Sequence, residues 1–255
     1  MRSLTDCPDS HVGEWNFNLF GIPVSVKVWF WISLAILSGA QTPPTLLIWV
    51  AACFVSILLH EMGHVLAFRI FGADSEIVLY GWGGMAVPAR GLFQTTPRLV
   101  VSLAGPVAGF TFGAIILAFA SSIGWQSHHG VHVFVPWVLV YPAGTAWVNQ
   151  PWLTHVYTAL NDLLYINLYW GLVNLLPIYP LDGGHAARAL FEQRDPRTGR
   201  RNSLVLSAAA AGAAALWGLA QHSIYLFILF AVLAVSSLQA IEAVRSSHLR
   251  PNYWR

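Results

Sequence analysis

Residues 54–68 read FVSILLHEMGHVLAF, and this stretch places three ionisable side chains, His60, Glu61 and His64, inside a continuous apolar run. Histidines four residues apart share one face of a helix, so both imidazoles can bind the same metal ion. Glu61 lies beside them, where it can act as general base on a metal-bound water. Because each ionisable group costs about 2.5–3.5 kcal/mol inside a membrane helix, the cluster predicts a functional metal site within the membrane.

The composition of the whole chain agrees with a membrane location for this stretch. Hydrophobic residues make up 56% of the 255 residues and charged residues only 9%, whereas soluble domains carry about 25% charged residues. This excludes a soluble enzyme, a disordered chain and a nucleic-acid-binding protein. A membrane-spanning helix needs about 20 apolar residues, and six stretches meet or approach that length: 24–39, 46–71, 100–123, 157–176, 204–220 and 224–244.

The positions of the basic residues predict how these spans are oriented. If the N-terminus is inside, all 13 lysines and arginines fall at or near the inner side of the membrane. The predicted outer connections, around 40–45, 124–156 and 221–223, contain none. Such a bias is typical of cytoplasmic loops. We therefore expect an integral, multi-pass protein, in the plasma (inner) membrane, with both termini in the cytoplasm.

Three segments indicate β-structure beside the helices. Residues 22–29 alternate apolar and polar side chains, which is a strand pattern. Residues 76–90 combine β-branched residues with glycines and predict a hairpin. Residues 131–141 are too short to span and predict a strand or an interfacial element. The fold class is therefore an all-α multispan membrane protein of about six transmembrane helices with a small membrane-associated β-hairpin or sheet. We expect one domain over residues 1–255, with a catalytic core at about 20–190 and two C-terminal spans in 203–245.

Two histidines leave a catalytic zinc site short of one protein ligand, because such sites usually have three ligands and a water. Asp74 and Glu76 follow the second predicted span closely and are possible ligands. Asp182, in the sequence NLLPIYPLDGGH at 174–185, is favoured. Its predicted depth matches that of the histidines, two prolines break the helix before it, and two glycines after it permit close approach of the backbone to a ligand.

The pairing of HEMGH (60–64) with NLLPIYPLDGG (174–184) resembles the site-2 protease family of intramembrane zinc metalloproteases. The resemblance covers about residues 20–190. Three further segments are similar to the family: LFGIPVSVKVWF (19–30), LYGWGGMAVP (79–88) and SLAGPVAGF (102–110). The chain resembles a compact form of the family, without an added PDZ-like or nucleotide-sensing domain.

The resemblance implies a zinc metalloendopeptidase that hydrolyses peptide bonds within or beside transmembrane segments of membrane-protein substrates. It implies one Zn²⁺ per chain on His60, His64 and Asp182, with Glu61 as the general base that activates the zinc-bound water. The family motif also implies that Asn174 holds the substrate or polarises the scissile carbonyl; an interhelical hydrogen bond is the alternative role.

The resemblance also implies that Gly83 and Gly84 let an extended substrate approach the hairpin, although a tight turn would need the same residues. The partners implied are a transmembrane substrate and the lipid bilayer, without nucleic acid, and the sequence gives no signal for an oligomeric state. A metal transporter or a metal-dependent non-catalytic scaffold is the alternative. A transporter predicts ionisable residues in several spans, but the third, fifth and sixth predicted spans contain almost none.

Overall fold

The computed structural model describes residues 13–39, 42–81, 83–89, 91–92, 94–132, 135–143 and 150–249. Within these residues, six strands accompany the helices. The strands are β1 Glu14–Leu19, β2 Ile22–Lys27, β3 Ser75–Tyr80, β4 Gly83–Pro88, β5 Trp125–His132 and β6 Val135–Pro142. The α-helices are α1 Val28–Leu37, α2 Pro43–Ile70, α3 Thr95–Ser122, α4 Pro151–Tyr165, α5 Gly171–Asn174, α6 Asp182–Arg194, α7 Gly199–Ala220 and α8 Ile224–Leu249, and a π-helical turn, Ile166–Trp170, lies between α4 and α5.

In the described part of the chain, four helices are long and apolar enough to cross a membrane: α2, α3, α7 and residues 224–245 of α8. They coincide with the second, third, fifth and sixth predicted spans. The first and fourth predicted spans are not confirmed. Residues 24–39 begin as strand β2 and continue as the ten-residue helix α1, and residues 157–176 are divided among α4, the π-helical turn and α5.

A four-stranded sheet in the order β1-β2-β3-β4 contains both β-patterns that the sequence predicts. Strands β2 and β3 are parallel, whereas β1–β2 and β3–β4 are antiparallel hairpins. The alternation in β2 buries Ile22, Val24 and Val26, and β3 buries Ile77 and Leu79 on the same core. The strand at 22–27 and the hairpin within 76–90 are thereby confirmed, and β4 forms an edge of the sheet.

The chain divides into two compact units, and the single-domain organisation stays a prediction. The first unit comprises residues in 1–91 and 104–171. In it, the sheet and α4 both pack against α2. Strands β5 and β6 form a second hairpin, so the expected outer element is a strand. Asn161 of α4 fixes β6, because its side chain accepts from the N–H of Val140 and donates to the Val140 carbonyl, both at 2.9 Å.

The second unit comprises residues in 92–103 and 172–255. Its core joins Ile178, from the loop before α6, to Ala211 and Ala215 of α7 and Phe230 of α8. Helix α6 packs against α7, and α7 packs along α8. The loop at 175–181 contains the prolines that separate α5 from α6, as the sequence predicts.

Candidate metal centre

The two histidines and the glutamate of the HEMGH sequence lie together on α2. His60 and His64 are each 6% exposed and Glu61 is 5% exposed. Their possible ligand atoms all lie within 4.8 Å of one another, and the two Nε2 atoms are 3.2 Å apart. Two nitrogens bound to one tetrahedral zinc at about 2.0–2.1 Å would be roughly 3.3–3.4 Å apart. The arrangement therefore fits a single metal ion shared by the two imidazoles.

Close packing of α2 against α3 shapes the space beside these nitrogens. A Cβ on Gly63 would be 2.5 Å from the carbonyl oxygen of Ala104 and 2.8 Å from the Cβ of Ala108. The next residue of α3, Gly105, faces the imidazoles directly: its Cβ would be 2.3 Å from Nε2 of His64 and 2.6 Å from Nε2 of His60. Only glycine at position 105 leaves the donor nitrogens room for a metal ion.

Strand β4 lies against the carboxyl group of Glu61. A Cβ on Gly84 would be 2.5 Å from Cγ and 2.7 Å from Oε1 of Glu61. Gly83 has a φ of +129°, a conformation open to glycine and strained for other residues. A Cβ on Gly83 would be 3.7 Å from the ring of Trp170. The edge of the sheet therefore lies beside the candidate general base. Gly84 is needed for that approach, and Gly83 is needed for its positive φ.

A hydrogen bond between Asn167 and Ser56 lies close to His60. The amide of Asn167, in the π-helical turn, donates to the hydroxyl of Ser56 and to the carbonyl of Leu163, both at 2.8 Å. Ser56 is one helical turn before His60, and both line a small cavity with Asn167 and Trp170. π-Helical turns often occur at functional sites. Here the turn brings a buried amide to the face of α2 that carries His60.

The remaining sequence candidates divide between the two units. Asp74 and Glu76 are exposed in the first unit and lie outside the His60, Glu61 and His64 group. Asp182 is half-buried at the first residue of α6, and Asn174 is buried at the end of α5, both in the second unit.

The two glycines after Asp182 lie directly against the backbone of the preceding loop. A Cβ on Gly183 would be 2.2 Å from the carbonyl oxygen of Leu175, and a Cβ on Gly184 would be 2.5 Å from the carbonyl carbon of Ile178. We expected these glycines to permit close approach to a ligand. The contacts show the loop's own backbone against them, because the chain folds back tightly between α5 and α6.

Two residues of the first-unit site carry no role in the sequence interpretation. Gly105 lies inside the segment SLAGPVAGF, which contributed only to a resemblance. Asn167 is a buried amide within an apolar segment, and an uncompensated amide is costly there. The presence of an amide in an apolar segment could therefore have marked Asn167 as a residue with a specific partner. Nothing in the spacing of Gly105 distinguishes it from the neighbouring small residues of α3.

A sequence profile of peptidase family M50 matches residues 48–219, about two thirds of the chain. A zinc metalloprotease of Methanocaldococcus jannaschii is 26% identical over 186 residues, which cover 70% of this chain and 45% of the relative. The protein Rip3 of Mycobacterium tuberculosis is 30% identical over 142 residues, which cover 54% of this chain and 30% of that protein. The chain thus spans less than half the length of these curated relatives.

The structure is also similar to a solved fold. The site-2 protease from Methanocaldococcus jannaschii superposes with a TM-score of 0.56 and 22% sequence identity, covering 89% of this chain and 95% of that chain. At this identity the likeness shows a shared fold. The expected fold class, helices of membrane-spanning length with a small sheet, agrees with this comparison in its coarser form.

Proposed function

The chain belongs to peptidase family M50, the site-2 protease family, and from that premise we propose that it is a zinc metalloendopeptidase that cleaves peptide bonds within or beside transmembrane segments. The observation that carries the proposal is the buried group of His60, Glu61 and His64 with the backbone of β4 against the glutamate. A metal site alone would fit many functions, but a carboxylate between a metal site and an open strand edge fits peptide hydrolysis.

Zinc is the cofactor, one ion per chain, and His60 and His64 would hold it through their Nε2 atoms. We propose Asp182 as the third protein ligand. Three features support it: the usual ligand count, the carboxylate directly after a loop closed by glycines, and the exposure of the alternatives Asp74 and Glu76. When bound, zinc supplies a Lewis acid that polarises the scissile carbonyl and makes water a nucleophile near neutral pH.

The protein's own groups would then move the proton. Glu61 takes a proton from the attacking water onto its carboxylate as the water oxygen adds to the carbonyl carbon. It passes that proton to the amide nitrogen as the C–N bond breaks, which releases an amine and a carboxylic acid. Burial of Glu61 beside β4 keeps bulk water from competing for this proton. Asn174 is proposed to bind the substrate backbone.

The edge of β4 is proposed to bind the substrate as an added strand. An extended peptide can satisfy its backbone groups on such an edge. Among the described strands, β4 pairs only with β3. Gly83 and Gly84 leave the first two residues of β4 without side chains, so a substrate strand could come close to Glu61. A substrate helix would have to unwind first, because only extended backbone pairs with a strand.

The finer membrane arrangement is part of the same proposal. Four described helices are long enough to cross a bilayer, and we propose six spans with both termini in the cytoplasm of the plasma membrane. The segments 24–39 and 157–176, which the sequence predicts as the first and fourth spans, would supply the other two. The alternative of a metal transporter gains no support from burial. Among the described residues, the buried histidine, acidic and basic side chains are His60, Glu61 and His64, all within about one turn of one helix.

The proposed activity is tested by Glu61→Gln in purified protein. The amide keeps the size of the side chain but cannot accept the proton, so we expect bound zinc with cleavage of a transmembrane substrate abolished. The matched control is Glu76→Gln, which changes an exposed glutamate on strand β3 and should cleave like the wild type. Persistent cleavage by Glu61→Gln would refute the assigned base. If Glu61→Gln abolishes cleavage, membrane proteomics that compares the wild type with this variant would identify substrates by the truncated forms that disappear.

The third ligand is tested separately by elemental analysis. Asp182→Ala should lower the zinc content of the purified protein, while Asp74→Ala and Glu76→Gln should leave one zinc per chain. Unchanged zinc content in Asp182→Ala removes Asp182 from the ligand set.

A further inference from the structure

The loop that precedes Asp182 is joined to α7 by a hydrogen bond from its backbone. Residues 175–181 connect α5 to α6 outside any helix or strand. A buried backbone N–H in such a loop needs a partner, because leaving it unpaired costs about 1–3 kcal/mol. The N–H of Tyr179, three residues before Asp182, donates to the hydroxyl oxygen of Ser207 on α7.

A second serine completes the contact from the neighbouring helix. Ser207 is 1% exposed and Ser237 of α8 is 0% exposed. The hydroxyl of Ser237 has one proton, which it can donate to the carbonyl of Leu233 at 2.9 Å or to Ser207 Oγ at 3.2 Å. The Ser207 oxygen accepts from the loop and lies within hydrogen-bond distance of the Ser237 hydroxyl on α8. Ser237 therefore helps to hold the Ser207 oxygen between α7, α8 and the loop.

Packing contacts add to this hydrogen bond and connect the loop to α6, α7 and α8. Ile178, next to Tyr179, is fully buried among Ala211 and Phe230 of the two helices. Gly184 lies so close to the backbone of Ile178 that a Cβ there would be 2.5 Å from its carbonyl carbon. Because of this contact, a displacement of Tyr179 would reach the first turn of α6, where Asp182 begins the helix.

We propose that Ser207 is a positioning residue that fixes the Asp182 carboxylate for zinc, acting through the N–H of Tyr179 with Ser237 as its support. This inference rests on the proposed role of Asp182 as a zinc ligand. It assigns to the two C-terminal helices a part in metal binding beyond spanning the membrane. Residues that orient metal ligands typically change metal affinity about 10–100-fold when they are removed.

The structure also contains serines that have only a local role, and they provide the matched control. Ser236, adjacent to Ser237 on α8, donates to the carbonyl of Val232 at 2.9 Å, four residues earlier in its own helix. This is the usual behaviour of serine in an apolar helix. Removing that hydroxyl should leave zinc affinity unchanged, whereas Ser207 differs because it accepts from a loop outside its helix.

The test measures zinc dissociation constants of purified full-length variants by competition with a chelator. We expect Ser207→Ala to bind zinc about 10–100-fold more weakly, with Ser236→Ala unchanged. In a cobalt-substituted protein, Ser207→Ala should shift the visible ligand-field bands as Asp182→Ala does. Ser207→Thr, which keeps the hydroxyl, should restore the wild-type bands.

A double-mutant cycle distinguishes positioning of Asp182 from general loosening of the protein. In the Asp182→Ala background, Ser207→Ala should add no further loss of zinc affinity. Wild-type zinc affinity in Ser207→Ala, or an equal loss with and without Asp182, would overturn the inference. If Ser207→Ala does not fold, Ser237→Ala carries the test with an expected loss of a few-fold, and wild-type affinity there overturns it. If Asp182→Ala itself binds zinc normally, the proposed ligand set fails instead.

Discussion

Alanine at position 105 should destroy the metal site without changing the identity of any proposed ligand. The added Cβ would be 2.3 Å from Nε2 of His64 and 2.6 Å from Nε2 of His60, whereas an ordinary contact begins at 3.4 Å. His64 would have to retreat by about 1.1 Å and His60 by about 0.8 Å. Metal–ligand distances tolerate only about 0.2 Å, so the two imidazoles could not both bind the ion.

The expected magnitude follows from what is lost. Disturbing residues that merely orient a ligand costs about 10–100-fold in metal affinity. Displacing both histidines should therefore weaken zinc binding by at least about 100-fold. Helix α3 could instead move away from α2, but an overpacked core typically loses about 1–3 kcal/mol of stability, and Gly63 already brings the two helices into contact. Either response reduces the zinc content of the protein.

The assay is the zinc content per chain after purification, together with competition against a chelator. Gly113→Ala is the matched control, because it lies two turns further along the same helix and its Cβ would meet nothing closer than 3.9 Å. We expect one zinc per chain in wild type and in Gly113→Ala, and little zinc in Gly105→Ala. Wild-type zinc affinity in Gly105→Ala would show that the metal does not bind between these two Nε2 atoms.

Two further variants test the base and an ion-pair network. Gly84→Ala would place a Cβ 2.7 Å from Oε1 of Glu61 and displace the carboxyl group. Because a misplacement of 1 Å can cost about 100-fold, we expect kcat to fall by about that factor while zinc is retained. A wild-type kcat would contradict the position of the base. Glu192 accepts from Arg98 and Arg188 at 2.7 Å; burial alone would raise its pKa, but these hydrogen bonds hold that pKa below its ordinary value. The contribution of these ion pairs to the free energy of unfolding is therefore present above the unfolded-state pKa of about 4.3 and is lost as pH falls through the folded value. We expect Glu192→Gln to lower the free energy of unfolding by about 1–2 kcal/mol at pH 7. In acid, thermal unfolding should show no difference between the variant and the wild type.

The grouping of His60, Glu61 and His64 could be predicted because it depends on local spacing, and the structure brings the three side chains together. Two histidines at i and i+4 can meet only if their segment is helical, and α2 is helical throughout. The strand at 22–27 was likewise predicted from its period of two. The count of six spans is not confirmed, because hydropathy does not distinguish a ten-residue helix that follows a strand from a full span. For 157–176, hydropathy gave no sign of the π-helical turn.

Contacts between distant segments could not be predicted in this way. The hydrogen bond from Asn167 to Ser56 joins residues 111 positions apart, and the bond from Tyr179 to Ser207 depends on how α7 packs beside the loop. Periodicity gives the face of a helix that is buried, but it does not give the partner or the register of packing. Buried polar residues in apolar segments are the useful signal, since each one must find a partner.

Glycines in these helices show why a small residue alone is an ambiguous signal. Helices in a membrane associate through close packing, so small residues are favoured at their contacts whatever the function. Gly63 serves such a contact and Gly105, next to it in space, keeps the metal site open, while a Cβ on Gly212 in the alanine-rich helix α7 would meet nothing within 4 Å. The same residue type thus packs, opens a site or does neither. A glycine becomes evidence for a site only when the atoms facing it are known, and here those atoms are the two imidazole nitrogens.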